Sequence, residues 1–273
     1  MKKLALMFLL MILLISCIGQ KEEDINKRVT EIESQKSKDN EDKYLELWTT
    51  GLYWADKDKK TAEKYYLAAA KYNKEAYSMI GNMYYFRGEK ENGKEKYRDG
   101  YAKGDMNSAF ELGGVYDAEG NIKEAMDWYT KAAKGDHREA QFNLAICYKE
   151  QGDEEEAEKW YLKAAKNGHV GSMFSLGYLY VNRMEKLQKR LSEKELKYEE
   201  ELLIVEEFNL NNINAEEWYL KAIENGSIDA KYNLAVLYEE TNKIKEAKKW
   251  YIESAKSGNK DAEKILKEKK FRD

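Results

Sequence analysis

Glu124-Ala-Met-Asp-Trp-Tyr-Thr-Lys-Ala-Ala-Lys-Gly135 is the first of four near-copies of one phrase. The others are Glu156-Ala-Glu-Lys-Trp-Tyr-Leu-Lys-Ala-Ala-Lys-Asn-Gly168, Asn214-Ala-Glu-Glu-Trp-Tyr-Leu-Lys-Ala-Ile-Glu-Asn-Gly226 and Glu246-Ala-Lys-Lys-Trp-Tyr-Ile-Glu-Ser-Ala-Lys-Ser-Gly258. Trp128 and Trp160 stand 32 residues apart, as do Trp218 and Trp250, whereas Trp160 and Trp218 stand 58 apart, an insertion of 26. A fixed period in this range marks a repeat architecture. Ala125, Trp128, Tyr129 and Ala132 fall at i, i+3, i+4 and i+7, one face of a helix. Large aromatics between small alanines suit close helix packing. Gly168, Gly226 and Gly258 follow the last periodic residue, where a left-handed helix end favours glycine.

Each phrase is preceded by a second pattern, small-x-x-x-Leu-small-x-x-Tyr. It reads Ala140, Leu144, Ala145, Tyr148, then Ser172, Leu176, Gly177, Tyr180, then Ala230, Leu234, Ala235, Tyr238. Earlier copies are Ser108, Leu112, Gly113, Tyr116 and Ala76, Ile80, Gly81, Tyr84. A degenerate first unit begins near Tyr44, with Trp48 where leucine is expected. Gly88, Gly120, Gly152 and Asn242 stand between the two helices of a unit, residues able to take the left-handed turn. After the sixth unit Ala262 and Leu266 open another first helix, but Lys267 and Lys270 replace its later small residue and tyrosine, as suits a polar cap. The absence of proline and the 36% of charged residues agree with an all-helical chain.

The phrase Trp-Tyr-x-Lys-Ala-Ala-x-x-Gly, followed by small-x-x-x-Leu-Gly-x-x-Tyr, resembles the Sel-one-like repeat family, relatives of the tetratricopeptide repeats. The resemblance covers about 43–271. The loop between the two helices is about four residues shorter than the family's usual one. The resemblance implies an all-α, right-handed α/α superhelical solenoid of about six two-helix repeats plus a C-terminal capping helix, acting as an adaptor for proteins or peptides. It implies no single chemistry.

The N-terminus reads differently. Lys2 and Lys3 precede an unbroken apolar run of 12, Leu4 to Ile15, too short to span a bilayer but suited to a signal sequence. It ends in Leu14-Ile15-Ser16-Cys17, which resembles the lipobox of bacterial lipoproteins. The expectation is a signal peptide over 1–16 and an acylated Cys17, placing the chain on a membrane of the bacterial envelope through its lipid alone. The alternatives are an ordinary signal peptide or an uncleaved anchor. Residues 18–42 are highly charged; Ile25, Val29 and Ile32 are able to form a short amphipathic helix, and Glu33 to Asp42 reads as a solvated tether. A tether of this length reaches about 25–30 Å. The repeat array is expected over 43–273.

The insertion, at about 181–210, lacks glycine and proline and is expected to be helical. The first helix of unit five should run to about Leu191. A second helix should follow to about Phe208, with Tyr198, Leu202 and Val205 on one apolar face, and then a turn through Asn209, Asn211 and Asn212. Ser192 with Glu195 and Asn214 with Glu217 fit capping boxes. The segment is either a tolerated expansion or a partner-docking element.

Candidate chemistry is sparse. The net charge is −4 with lysines and glutamates interleaved, so no basic stripe offers itself to nucleic acid. Cys147 sits between Ile146 and Tyr148, more in keeping with a small buried hydrophobe than with a reactive thiol. His137 and His169 lie one period apart in turns, without further zinc ligands nearby in sequence. No phosphate loop or dinucleotide fingerprint occurs, and no metal or cofactor is expected. The favoured reading is a non-catalytic envelope scaffold; the alternative is an envelope hydrolase acting on cell-wall or β-lactam-like substrates. By the resemblance, first helices line the concave surface. Phe142 and Ile146 lie there away from Leu144, and Tyr85, Phe86, Phe110, Phe174, Tyr178, Tyr232 and Val236 are taken as their equivalents. These aromatics either pack against the adjacent unit or form a stripe for a peptide, with Asn82, Asp117 and Asn182 fixing its backbone.

Overall fold

A computed structural model describes residues 22–35, 39–192 and 196–268. Cys17 and its leader lie outside the described residues. Those described form fourteen α-helices and no strand. They fall into two compact units, one up to His137 and one from Arg138.

The first unit holds α1 (Glu22–Ser34), α2 (Asn40–Trp54), α3 (Lys59–Ala69), α4 (Ala76–Phe86), α5 (Lys90–Ala102), α6 (Met106–Ala118) and α7 (Ile122–Lys134). The second holds α8 (Arg138–Glu150), α9 (Glu154–Lys166), α10 (Val170–Leu191), α11 (Tyr198–Glu224), α12 (Asp229–Glu240), α13 (Ile244–Lys256) and α14 (Lys260–Glu268). From α2 on, helices pair as six repeats, and α14 packs on α13 as the cap. Ala262 of α14 is buried, and Ile265 and Leu266 lie against the same core.

One contact makes each repeat. The tyrosine of the Trp-Tyr pair, or its equivalent Tyr97 after Lys96, lies on the small residue of the preceding helix. A Cβ added to Gly81, Gly113 or Gly177 would meet the ring of Tyr97, Tyr129 or Tyr219 at 2.4–2.6 Å. All these tyrosines are buried, as are Leu112, Leu144, Leu176 and Leu234 beside them. Burying each such side chain contributes about 1.5–3 kcal/mol.

Turns follow from local chemistry. Gly88, Gly120, Gly152 and Asn242 all have φ between 59° and 84°, and in repeat four the Asp153 N–H donates to the Tyr148 carbonyl at 2.9 Å, satisfying a helix end. The turn between repeats has the same geometry at Gly168, Gly226 and Gly258. In repeat three the left-handed residue is Asp136, with φ 62°, while Gly135 admits Met106, whose Sδ would stand 2.5 Å from an added Cβ. The residue after this left-handed position caps the next helix. Asp105 accepts from the Ser108 N–H at 3.2 Å, His169 Nδ1 from the Ser172 N–H at 3.0 Å, and Asn259 from the Ala262 N–H at 2.9 Å. Buried Asp105 also accepts from the Ser78 N–H at 3.2 Å, tying repeat three to repeat two.

Three expectations are corrected. The charged segment is not all tether: α1, the short helix that Ile25, Val29 and Ile32 allow, packs on α2 and α3, with Ile25 and Ile32 buried beside Leu47, Tyr65 and Ala69. Glu33 pairs with Lys71 at 2.7 Å, and α2 already begins at Asn40, capped by Asp39. Apolar residues at i and i+7 on a helix this short gain more from a receiving surface than from water. In the first repeat Gly51, not the residue after Trp48, receives the tyrosine: its added Cβ would stand 2.5 Å from the Tyr66 ring. Trp48 instead lies against the same ring at 4.3 Å.

The third correction concerns the insertion. α10 ends at Leu191, as the spacing predicts, but α11 runs unbroken from Tyr198 to Glu224. There is no asparagine turn and no capping box at Asn214. Asn211 is buried, and its side-chain amide donates to the Glu207 carbonyl one turn back at 2.9 Å, so it is satisfied within the helix. The buried face of α11 carries Ile204, Asn211 and Ala215, with Phe208 against the core; Tyr198, Leu202 and Val205 are exposed. Glu195 lies outside the described residues.

Candidate binding face

In the second unit the first helices of repeats four, five and six, α8, α10 and α12, each carry an aromatic two residues before the buried leucine. Phe142 lies against Tyr161 at 5.8 Å and against His169 at 4.4 Å between ring centres. Phe174 lies 6.0 Å from Tyr219, and Tyr232 lies 5.9 Å from Tyr251. All three are half-buried, with one side on the core. One turn further along stand Ile146, Tyr178 and Val236. Tyr178 is 44% exposed, with the Lys149 ammonium 5.1 Å from its ring centre. Two rows of apolar side chains therefore accompany the tyrosine hydroxyls.

Those hydroxyls are all engaged. Tyr161 bonds to Ser175, Tyr219 to Asn233, and Tyr251 donates to Glu239 at 2.8 Å. Burial pushes the Tyr161 hydroxyl up to about 12 and raises Tyr219 and Tyr251 as well, so they remain neutral donors at physiological pH. His169 is held below the usual imidazole range, first by burial and against the pull of Glu139. Neutral Nδ1 is what its capping role requires. The second unit thus presents aromatic faces backed by a fixed layer of neutral tyrosines, one of them donating to the Glu239 carboxylate.

In the first unit the same position holds Phe110 on α6, stacked on His137 at 4.6 Å and 6.0 Å from Tyr129. His137 bonds through Nε2 to Asn107 at 2.9 Å. Each histidine therefore belongs to the aromatic layer of its own unit. Tyr85 and Phe86 are not equivalents of Phe142: one period before Phe110 stands Ser78, which is buried. Tyr85 and Phe86 close the C-terminal end of α4, edge to face at 6.0 Å, and Phe86 is 83% exposed. The 32-residue register, applied strictly, separates them.

The three polar residues expected to hold a peptide backbone have different surroundings. Asn82 accepts from the Tyr97 hydroxyl at 2.5 Å and bonds Glu111, whose carboxyl burial nevertheless raises. Asp117 is exposed and stands 3.5 Å from the Tyr129 hydroxyl. Asn182 is half-buried on α10. Asn82 thus serves the layer beneath the face. Sequence reasoning missed Glu111, Ser175 and Asn233, which have no distinctive type; the recurrence of a polar residue near each tyrosine hydroxyl was the available signal. Cys147 is buried, in keeping with a packing role.

Comparison with known proteins agrees with this frame. Sel1 repeats match residues 49–71, 97–137, 138–169 and 208–227, and a tetratricopeptide repeat matches 228–257. The gap from 170 to 207 contains most of the insertion. No curated protein matches the sequence. Among solved structures, Pseudomonas aeruginosa pilF is 18% identical over 72% of this chain and 86% of its own, with a TM-score of 0.50. A protective antigen present in uropathogenic Escherichia coli strains, displaying an SLR fold, is 20% identical over 89% of this chain, with a TM-score of 0.43. The chain spans 66% of that antigen, just under two thirds of its length.

Proposed function

Because the chain belongs to the Sel1-type repeat proteins, we propose that it is a non-catalytic scaffold holding a protein or peptide partner at the bacterial envelope, anchored by lipid on Cys17. The observation that carries the binding half is the aromatic row Phe142, Phe174 and Tyr232, each half-buried on a neutral tyrosine layer. Rings already fixed by packing lose little freedom when a ligand covers their open side. Tyr178 is the best single contact, because its ring is exposed and its neighbours are already in place.

The location rests on the leader, where a basic start, an apolar run and Leu14-Ile15-Ser16-Cys17 stand in order. Four residues, Ile18 to Lys21, separate Cys17 from α1. Fully extended they reach about 14 Å, so the first unit would sit near the membrane rather than on a long tether. No observation favours the hydrolase alternative.

The test is in two parts. Cys17→Ser should leave an unprocessed precursor or a soluble protein on fractionation; normal cleavage with normal membrane retention contradicts the anchor. Crosslinking in intact envelopes should capture a partner that Tyr178→Ala loses while melting as the parent does. Capture unchanged by Tyr178→Ala and reduced in Phe142→Ala only in proportion to unfolding would contradict the binding face.

A further inference from the structure

Among the described residues, the insertion leaves one helix face without a partner. On α11, Tyr198, Leu203, Leu210 and Ile213 are 79%, 65%, 58% and 62% exposed, and Leu202 and Val205 are exposed beside them. Residues three, four and seven apart share a helix face, so Leu203, Leu210 and Ile213 align, with Leu202 and Val205 along one edge. The opposite face, Ile204, Asn211 and Ala215, is buried. An exposed apolar stripe of this length on a soluble helix marks an interaction site.

Charge selects what covers it. From Tyr198 to Leu220 there are seven glutamates and no lysine or arginine. Glu199 and Glu206, seven apart, run along the apolar stripe itself. Glu200 pairs with Arg190 of α10 at 3.0 Å, Glu216 with Lys243 at 2.8 Å, and Glu217 with Lys221 at 2.6 Å. Among the described residues Glu199 and Glu206 have no ion pair. Arg183 and Lys186, the other α10 cations with an assigned partner, are bound to Glu158 and Glu154 of α9.

We propose that the exposed face of α11 docks an amphipathic helix of a partner protein, with an apolar seam flanked by lysine or arginine. Leu203, Leu210 and Ile213 would seat its apolar residues, and Glu199 and Glu206 would pair with its cations. The same face of a second copy fits poorly, since it brings the same glutamates and no base to meet them. An anionic lipid surface is disfavoured by the same charges, because helices that lie on such membranes are basic on their polar side. This proposal rests on the scaffold reading and adds a second face to it.

The probe is a synthetic helix-forming peptide of leucine and lysine, about 20 residues long so that it holds helical structure, titrated into the purified protein. Leu203→Ser with Leu210→Ser should weaken binding about tenfold or more without moving the melting temperature. Glu199→Lys with Glu206→Lys should abolish it and confer binding of the matching leucine–glutamate peptide. Unchanged affinity in both variants overturns the proposal. So does binding lost on charge reversal but untouched by the serine pair, which would be plain charge attraction. Dimerisation abolished by the serine pair would assign the face to a second copy, and binding of phosphatidylglycerol vesicles in place of the peptide would assign it to a membrane. In any of these cases, partner capture still lost in Tyr178→Ala leaves the scaffold reading intact.

Discussion

Repeat four pairs two helices of 13 residues, α8 and α9, whereas repeat five pairs helices of 22 and 27, α10 and α11. Both bury the same set: Ala140, Leu144, Ala145 and Tyr161 in one, Ser172, Leu176, Gly177 and Tyr219 in the other. The extra residues of repeat five continue both helices past this set and make the most extensive helix contact of the described chain. The difference teaches that an insertion at the turn between two antiparallel helices need not become a loop. Without glycine or proline to stop them, the helices grow and pack on each other, and the original contact is untouched.

The largest expected effect breaks the shared part. Tyr161→Ala and Tyr219→Ala each remove a buried ring from beside a small residue and should cost about 3–5 kcal/mol, measured by urea unfolding. If Tyr219→Ala were markedly milder, the long helices would be holding repeat five together in place of its tyrosine. Next comes the continuity of α11. Asn209 is exposed, so Asn209→Pro tests the backbone alone and should cost about 3 kcal/mol in a helix interior. A negligible cost would restore the asparagine turn.

That turn shows where sequence reading stopped. The frame was legible because Leu144, Ala145 and Tyr148 recur with their equivalents at a fixed period, and each copy supports the others. The insertion has no second copy. Asparagine generally favours turns, since its side chain competes with the helix backbone, but Asn211 bonds the carbonyl one turn back. Which face of α11 is buried depended on Met184 and the rest of α10, contacts far apart in sequence. α1 posed the same difficulty: Ile25 and Ile32 announced a helix, but its receiving surface of Tyr65 and Ala69 belongs to repeat one. Of the candidate site, the row through Phe142, Phe174 and Tyr232 was legible by register, whereas Tyr85 and Phe86 were assigned to it by type alone.

A smaller effect lies where α10 begins. Burial lowers the His169 pKa below its unfolded value of about 6.5. A depressed folded pKa means that the stabilising contribution is present above the unfolded value and is lost as pH falls through the folded one. The melting temperature should therefore decline from about pH 6.5 downward, before most carboxylates titrate. His169→Asn, borrowing the cap that Asn259 already makes, should flatten that decline. An identical slope in the mutant would show that protonation of His169 is not what drives the decline. The smallest effect is at the turn before repeat four. Asp136 sits at φ 62° where other repeats have glycine, so Asp136→Gly should stabilise by about 0.5–1 kcal/mol. No gain would mean that the aspartate side chain offsets its backbone strain.

The independence of the repeat frame from its insertion is tested most directly by removing residues 185–210 with Met184→Gly, which returns repeat five to the turn length of repeat four. Circular dichroism through a thermal melt is the measurement. The account predicts that helical signal falls only by the share of the excised residues, with cooperative unfolding retained, because changes of loop length cost little entropy and Tyr219 keeps its seat on Gly177. Loss of most helical signal, or a melt without a cooperative transition, would contradict it and make the long α10–α11 pair part of what holds the second unit together.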